Sequence, residues 1–174
     1  MSNRQKIGLR GTFETSAILD SLYTEGRDYT KTGAGTWYQF REPTDIELFQ
    51  YTTNIRAEAD FLTINYADEE STGQQMRYFL SAERNVHVSG NHYLNFKAES
   101  ALMSSKNEFS TNELLRFGGW NSFRGFNENS LYADLYYFGT AEYRYLVGNQ
   151  AFFDAFGQYG EFHNKNLNLK PKIY

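Results

Sequence analysis

The sequence predicts an all-β protein built of antiparallel strands, and three observations predict it. Polar and apolar residues alternate with period two through most segments between turns, as in strands with two unlike faces. Proline occurs only twice, at Pro43 and Pro171, so few segments are interrupted. Connections come in two sizes: tight at 89–91 and 148–150, long and polar at 68–75 and 105–130.

The elements follow in order. Near the start, Ile7, Leu9 and Phe13 alternate with Lys6, Arg10 and Glu14, which predicts a first strand. The region 16–50 is least regular. Residues 23–36 carry Gly26, Gly33 and Gly35 among scattered charges and read as a long loop, while 36–41 and 46–50 fit strand ends around a turn at Pro43. Ile55, Ala57, Ala59 and Phe61 then alternate with Asn54, Arg56, Glu58 and Asp60. Across 77–87 the odd positions are mostly polar, and the even ones, from Met76 on, are mostly apolar. After the turn at 89–91, Leu94, Phe96, Ala98 and Leu102 oppose Asn95, Lys97 and Glu99.

The cleanest strand follows the longest connection. Leu135, Tyr137, Gly139, Ala141, Tyr143, Tyr145 and Val147 make its apolar row, opposed by Thr140, Glu142 and Arg144. The turn Val147-Gly148-Asn149-Gln150 leads to its partner, where Ala151, Phe153, Ala155, Gly157 and Tyr159 oppose Asp154 and Gln158.

Composition narrows the class. The 174 residues are one domain's worth of chain. Aromatic residues make 18% of it, 15 Phe, 14 Tyr and 2 Trp, although the chain is polar on average. A transmembrane barrel accounts for both properties, with aromatic girdles at the interfaces and every second residue facing a polar lumen. No apolar run reaches the roughly 18 residues of a membrane-spanning helix, which leaves closed β-structure as the only way across a bilayer. A soluble antiparallel sandwich or lipocalin-like barrel produces the same alternation, so on period alone both readings stand.

Little else points to chemistry. The absence of cysteine removes disulfides, thiolate catalysis and cysteine-bound zinc. A net charge of −4 argues against a general nucleic-acid binder. His87, His92 and His163 lack metal-ligand spacing, and neither a Gly-x-Ser-x-Gly elbow nor a phosphate-binding glycine loop is present, so no metal, cofactor or catalysis is expected. Asp68-Glu69-Glu70 fits either a solvated loop tip or a divalent-cation ligand set. Tyr136, Tyr137 and Phe138 fit a girdle or core packing.

One ordered motif set is more specific. Within 105–130 stand Gly118-Gly119 and the tip Phe123-Arg124-Gly125-Phe126; Gly139-Thr140-Ala141-Glu142-Tyr143-Arg144-Tyr145 and Phe152-Phe153-Asp154-Ala155-Phe156-Gly157 follow. Over 112–160 this resembles the BamA and TamA family of outer-membrane assembly factors and the two-partner-secretion transporters. There a Gly-Gly pair precedes an Arg-Gly-Phe or Arg-Gly-Tyr tip, on a loop that folds back into the barrel lumen. The chain departs from the family pattern at Phe123, where a β-branched residue is usual, and at Phe156, which displaces a glycine to Gly157.

The resemblance implies an antiparallel transmembrane β-barrel, of which this chain is a segment of a 16-stranded wall, located in the bacterial outer membrane. It implies a loop-tip site of Gly118, Gly119, Arg124, Gly125 and Phe126, with the arginine on an acidic residue of the inner wall. Alternation puts both Glu142 and Asp154 on the polar face, so both are candidate partners. A guanidinium packed in a loop needs such a partner, and breaking a buried pair costs about 3–5 kcal/mol. The implied function is to help insert or export other outer-membrane polypeptides, with outer-membrane lipid, client polypeptides and accessory assembly proteins as partners and no nucleic acid. A barrel anchoring a fused passenger or enzyme domain, and a soluble ligand-binding β-barrel, are the alternatives. The start lacks a signal-peptide core, so either that segment was removed or the chain is a fragment, and Pro171 suits a paired last strand poorly, so a truncation at Tyr174 is expected.

Overall fold

The computed structural model describes residues 4–17, 26–46, 48–68, 72–148 and 151–165, and the backbone of 172–173. The alternating segments become β1 (Arg4–Ser16), β2 (Tyr29–Glu42), β3 (Thr53–Tyr66), β4 (Thr72–Ser89) and β5 (His92–Ser105). After a connection holding the short strands β6 (Leu115–Phe117) and β7 (Leu131–Ala133) come β8 (Leu135–Val147), β9 (Ala151–His163) and β10 (Lys172–Ile173).

The main sheet has eight strands in the order β1-β2-β3-β4-β5-β8-β9-β10, and each neighbouring pair is antiparallel. β6 and β7 pair separately. Among the described residues β1 pairs only with β2, and β10 only with β9. The sheet is therefore all-β and antiparallel but open: the described residues form no closed barrel, where the sequence predicts a segment of one. Closure needs a full-length partner for β1, and the last described strand is two residues long.

The two faces of the sheet differ as the alternation requires. On β8, Tyr136, Phe138, Thr140 and Glu142 are buried, whereas Tyr137, Tyr143, Tyr145 and Val147 are exposed. The inner face is covered by segment 106–134 and by the connection 43–52, whose Phe49 packs edge-on against Tyr93 of β5 and Phe152 of β9. The outer face carries exposed Ile7, Leu9, Phe61, Leu80, Phe96 and Phe153. The inner face also buries Leu62, Ile64, Ala101, Met103, Tyr136 and Phe138 beneath the covering segment, so large apolar side chains lie on both faces.

Three expectations are corrected. The loop expected at 23–36 is strand from Tyr29 on, and its glycines are sites of close approach. A Cβ at Gly35 would lie 1.8 Å from Asp60 Oδ1, and one at Gly33 would lie 2.1 Å from the Phe61 carbonyl oxygen. The space left by Gly35 lets Asp60 reach Arg10, whose guanidinium donates to Asp60 Oδ2 at 2.6 Å and to Glu58 Oε2 at 2.7 Å. The polar loop expected at 68–75 is already β4 from Thr72, since Thr72 continues the ladder opposite Asn65 whatever its polarity. Residues 46–50 form no strand end; Phe49 is buried there, and Glu47 lies outside the described residues. Glu69, Glu70, Asn149, Gln150, Pro171 and Tyr174 also lie outside them, while Asp68 is exposed.

Candidate functional site

Segment 106–134 lies against the inner face, and its sequence dictates how it turns. Gly118, Gly119 and Gly125 adopt φ of 104°, 101° and 89°, a region open to glycine and strained for other residues. A Cβ at Gly119 would fall 2.1 Å from the Glu128 carboxyl carbon, and that carboxylate accepts the Trp120 N–H at 3.0 Å. The Gly119 N–H donates to the Phe123 carbonyl at 3.1 Å, which folds the chain back and projects Arg124 onto the wall.

Arg124 is held from every side. Its Nη2 donates to Glu142 Oε1 at 2.6 Å, and its Nη1 reaches Asp154 Oδ2 at 3.4 Å. The guanidinium stacks between the rings of Phe156 and Trp120, at 4.3 and 4.6 Å from their centroids. Its backbone N–H donates to Gln158 Oε1 at 2.8 Å, while Gln158 Nε2 donates back to the Ser122 carbonyl and to Thr140 Oγ1. Both acidic partners offered by the alternation are thus brought to the arginine, with Glu142 the closer. Glu142 also accepts from Arg144, with Oε2 to Nη2 at 2.6 Å, so one buried carboxylate serves two guanidinium groups.

The flanking aromatics divide the tip. Phe123 is 2% exposed and meets Phe138 edge-on, over Gly160, where a Cβ would clash with the Phe138 side chain at 2.7 Å. Phe123 is therefore the buried anchor of the tip, whereas Phe126 is 38% exposed and tilts against it. Tyr136 and Phe138 form the floor beneath the segment, and Tyr136 stacks on Phe117 with centroids 4.3 Å apart. Tyr137 turns outward, so the aromatic triplet is split between core and outer face.

A second anchor stands at the other end of the segment. A single 3-10 turn at Thr111–Glu113 places Glu113 against Lys31 of β2, with Nζ to Oε1 at 3.4 Å and side chains 1% and 0% exposed for Lys31 and Glu113. Tyr66 of β3 donates to Glu113 Oε2 at 3.1 Å, and Ser110 donates to the same oxygen from its backbone N–H and its hydroxyl, both at 2.9 Å. Asn112 donates to Ser16 Oγ and to the Arg27 carbonyl, each at 2.8 Å. Beside the Arg124 anchor lies a polar chamber of about 450 Å³, lined by Lys97, Trp120, Arg124, Glu142, Arg144 and Asp154 among others.

Sequence reasoning missed several of these groups. Alternation put Arg144 and Gln158 on the same polar face as Glu142 and Asp154 without assigning them to the site, and Phe156 shares that parity. Lys31 and Glu113 carried no such signal, because each fell in a stretch read as loop. No group of three or more histidine, aspartate or glutamate side chains able to hold a metal occurs among the described residues. Compared with protein-family models, with curated proteins and with solved structures, the chain gives no match. The fold and the Arg124 site alone define its class: an all-β antiparallel wall with a segment locked onto its polar face.

Proposed function

We propose that this chain is part of the wall of a bacterial outer-membrane β-barrel of the assembly or translocation type, helping to insert or export other outer-membrane polypeptides. The observation that carries this reading is a broad exposed apolar outer face set opposite buried charges. Lys31, Asn95, Glu113 and Glu142 are buried on the inner face, while Leu9, Phe13, Leu80 and Phe153 are 90%, 74%, 54% and 73% exposed on the other. A chain folded in water keeps large apolar surfaces small, whereas a barrel wall turns an apolar band to lipid and its polar row to the lumen. The long strands suit this, since each has 13 to 18 residues and a tilted crossing needs about 9–11.

The finer part of the reading rests on the Arg-Gly-Phe segment. Its placement on the inner face, with Arg124 against two acids, is the arrangement that the family resemblance implies. Under this reading outer-membrane lipid and client polypeptides are the partners, accessory assembly proteins join them, and no cofactor or covalent step is needed.

The test is Arg124→Ala in the protein reconstituted into vesicles. The variant is expected to insert normally yet to lower client insertion by about tenfold or more, as follows from losing a largely buried charge pair. Arg124→Lys is expected not to rescue it, because an ammonium cannot bridge Glu142 and Asp154 while lying flat between two rings. Wild-type client insertion by Arg124→Ala would overturn the assembly role. A protein that stays monodisperse in buffer without detergent would overturn the membrane reading itself.

A further inference from the structure

The outer face contains an apolar groove of about 810 Å³, within the roughly 300–1,000 Å³ typical of small-molecule sites. Its floor is Ala98, Gly139, Ala141 and Gly157, set side by side across β5, β8 and β9 by the pairs Ala98↔Gly139 and Ala141↔Gly157. Phe96 and Tyr159 form its sides, 47% and 44% exposed.

The fold itself requires neither glycine. Both have ordinary strand conformation, without positive φ, and the pairing runs through them without a register shift. A Cβ at Gly157 would meet nothing within 4 Å, and one at Gly139 would meet only the Lys97 carbonyl, at 3.9 Å. Gly33, Gly35 and Gly160 differ, because there the protein's own atoms occupy the space. A glycine inside a strand weakens it and marks a bulge, a bend or the close approach of another molecule. Here no bulge exists, and the vacated space opens outward.

Arg84 stands at the rim, paired in register with Thr53 and Phe96. Of the lysines and arginines in the main sheet whose side chains are described, it alone has outward parity. Its side chain has no hydrogen bond or ion pair among the described residues. Glu83, its neighbour, points to the inner face, where Asn95 donates to it at 2.9 Å. The groove thus combines an apolar trough with an unpaired cation at one end, while the outward Glu161 carboxylate lies beyond the other, hydrogen-bonded to Tyr159 at 2.7 Å.

We propose that the groove holds one acyl chain of a membrane phospholipid, with the lipid phosphate on the Arg84 guanidinium. The charge pattern selects this occupant: an anionic phosphate joined to an apolar chain complements a lone guanidinium beside a trough. The proposal rests on the membrane reading above, which brings the outer face to lipid.

Native mass spectrometry of the full chain in detergent tests it, with palmitoyl-oleoyl phosphatidylglycerol added, and with dioleoylglycerol or inorganic phosphate in separate arms. One phosphatidylglycerol is expected to be retained. Arg84→Gln is expected to weaken retention by about tenfold, dioleoylglycerol to bind the wild type about as weakly as that variant binds the lipid, and inorganic phosphate not to be retained. Gly139→Leu combined with Gly157→Leu fills the trough and is expected to abolish retention while preserving insertion into phosphatidylglycerol vesicles. Unchanged retention by the double variant, retention of phosphate alone, or a dimer in place of the lipid adduct overturns the groove. Failure of the wild type to insert into vesicles overturns the membrane reading instead, and the proposal with it.

Discussion

Arg124 and Glu113 hold the same segment by different means. Arg124 is 14% exposed, planar, and braced by two rings and two acids, so its geometry has several supports. Glu113 is fully enclosed, with Lys31 as its cation and Tyr66 and Ser110 as donors. Removing one member of such a pair leaves a buried charge without its counterion, so Lys31→Met is expected to lower stability by about 3–5 kcal/mol. Adding Glu113→Leu to Lys31→Met is expected to recover part of that loss, since an apolar pair of similar volume often matches a buried ion pair. Urea unfolding of the reconstituted protein measures both; a single variant as stable as the wild type would sink the claim. Of these residues, Arg124, Glu142 and Asp154 were legible because the motif is local and the alternation assigns parity. Lys31 and Glu113 were not, because a contact between distant stretches of chain leaves no pattern in either.

At the scale of the element, the strands that alternate cleanly were legible and the irregular ones were not. β3, β5, β8 and β9 lie where the period places them. β2 was hidden by Gly33 and Gly35, which mark turns in most sequences and here make room for Phe61, Leu62 and Asp60. Gly35 is therefore a test of how β2 supports β1. Gly35→Val is expected to push Asp60 away, release the Arg10 guanidinium from its carboxylates and cost about 1–3 kcal/mol, as overpacking does. A double-mutant cycle with Arg10→Met measures the link, and additive effects would disprove it. β6 and β7 were hidden for another reason. Three-residue strands have too few positions for any period to register.

For the whole molecule, the unlike faces of the sheet set what substitutions can be tolerated. Leu80 is 54% exposed on the apolar face, near the middle of β4. A soluble protein would accept arginine at such a position within about 0.5 kcal/mol. A membrane wall would not, and Leu80→Arg is expected to lower insertion stability by up to about 2–4 kcal/mol if it lies near the bilayer midplane. Vesicle insertion across a urea series reads the difference, and an indifferent variant would contradict a lipid-facing wall. The all-β class and the unlike faces were readable from the sequence, because the alternation repeats along most of the long strands. Which strand meets β1 was not, since local alternation carries no information about pairing at the sheet's edges.

The two anchors also divide the chain into an early and a late half. Ser16, Arg27, Lys31 and Tyr66, which hold the Thr111–Glu113 anchor, precede it in the chain, whereas Glu142, Asp154 and Gln158, which hold Arg124, follow it. A chain emerging from its amino terminus can fasten the first anchor while β8 and β9 are still unmade. The second can close only after both are paired, and closing it spans a loop shorter than the first anchor had to bridge, at a smaller entropic cost. Segment 106–134 is thereby a clasp between the early and late halves of the wall, and an Arg124 seated on Glu142 signals that the late half has arrived.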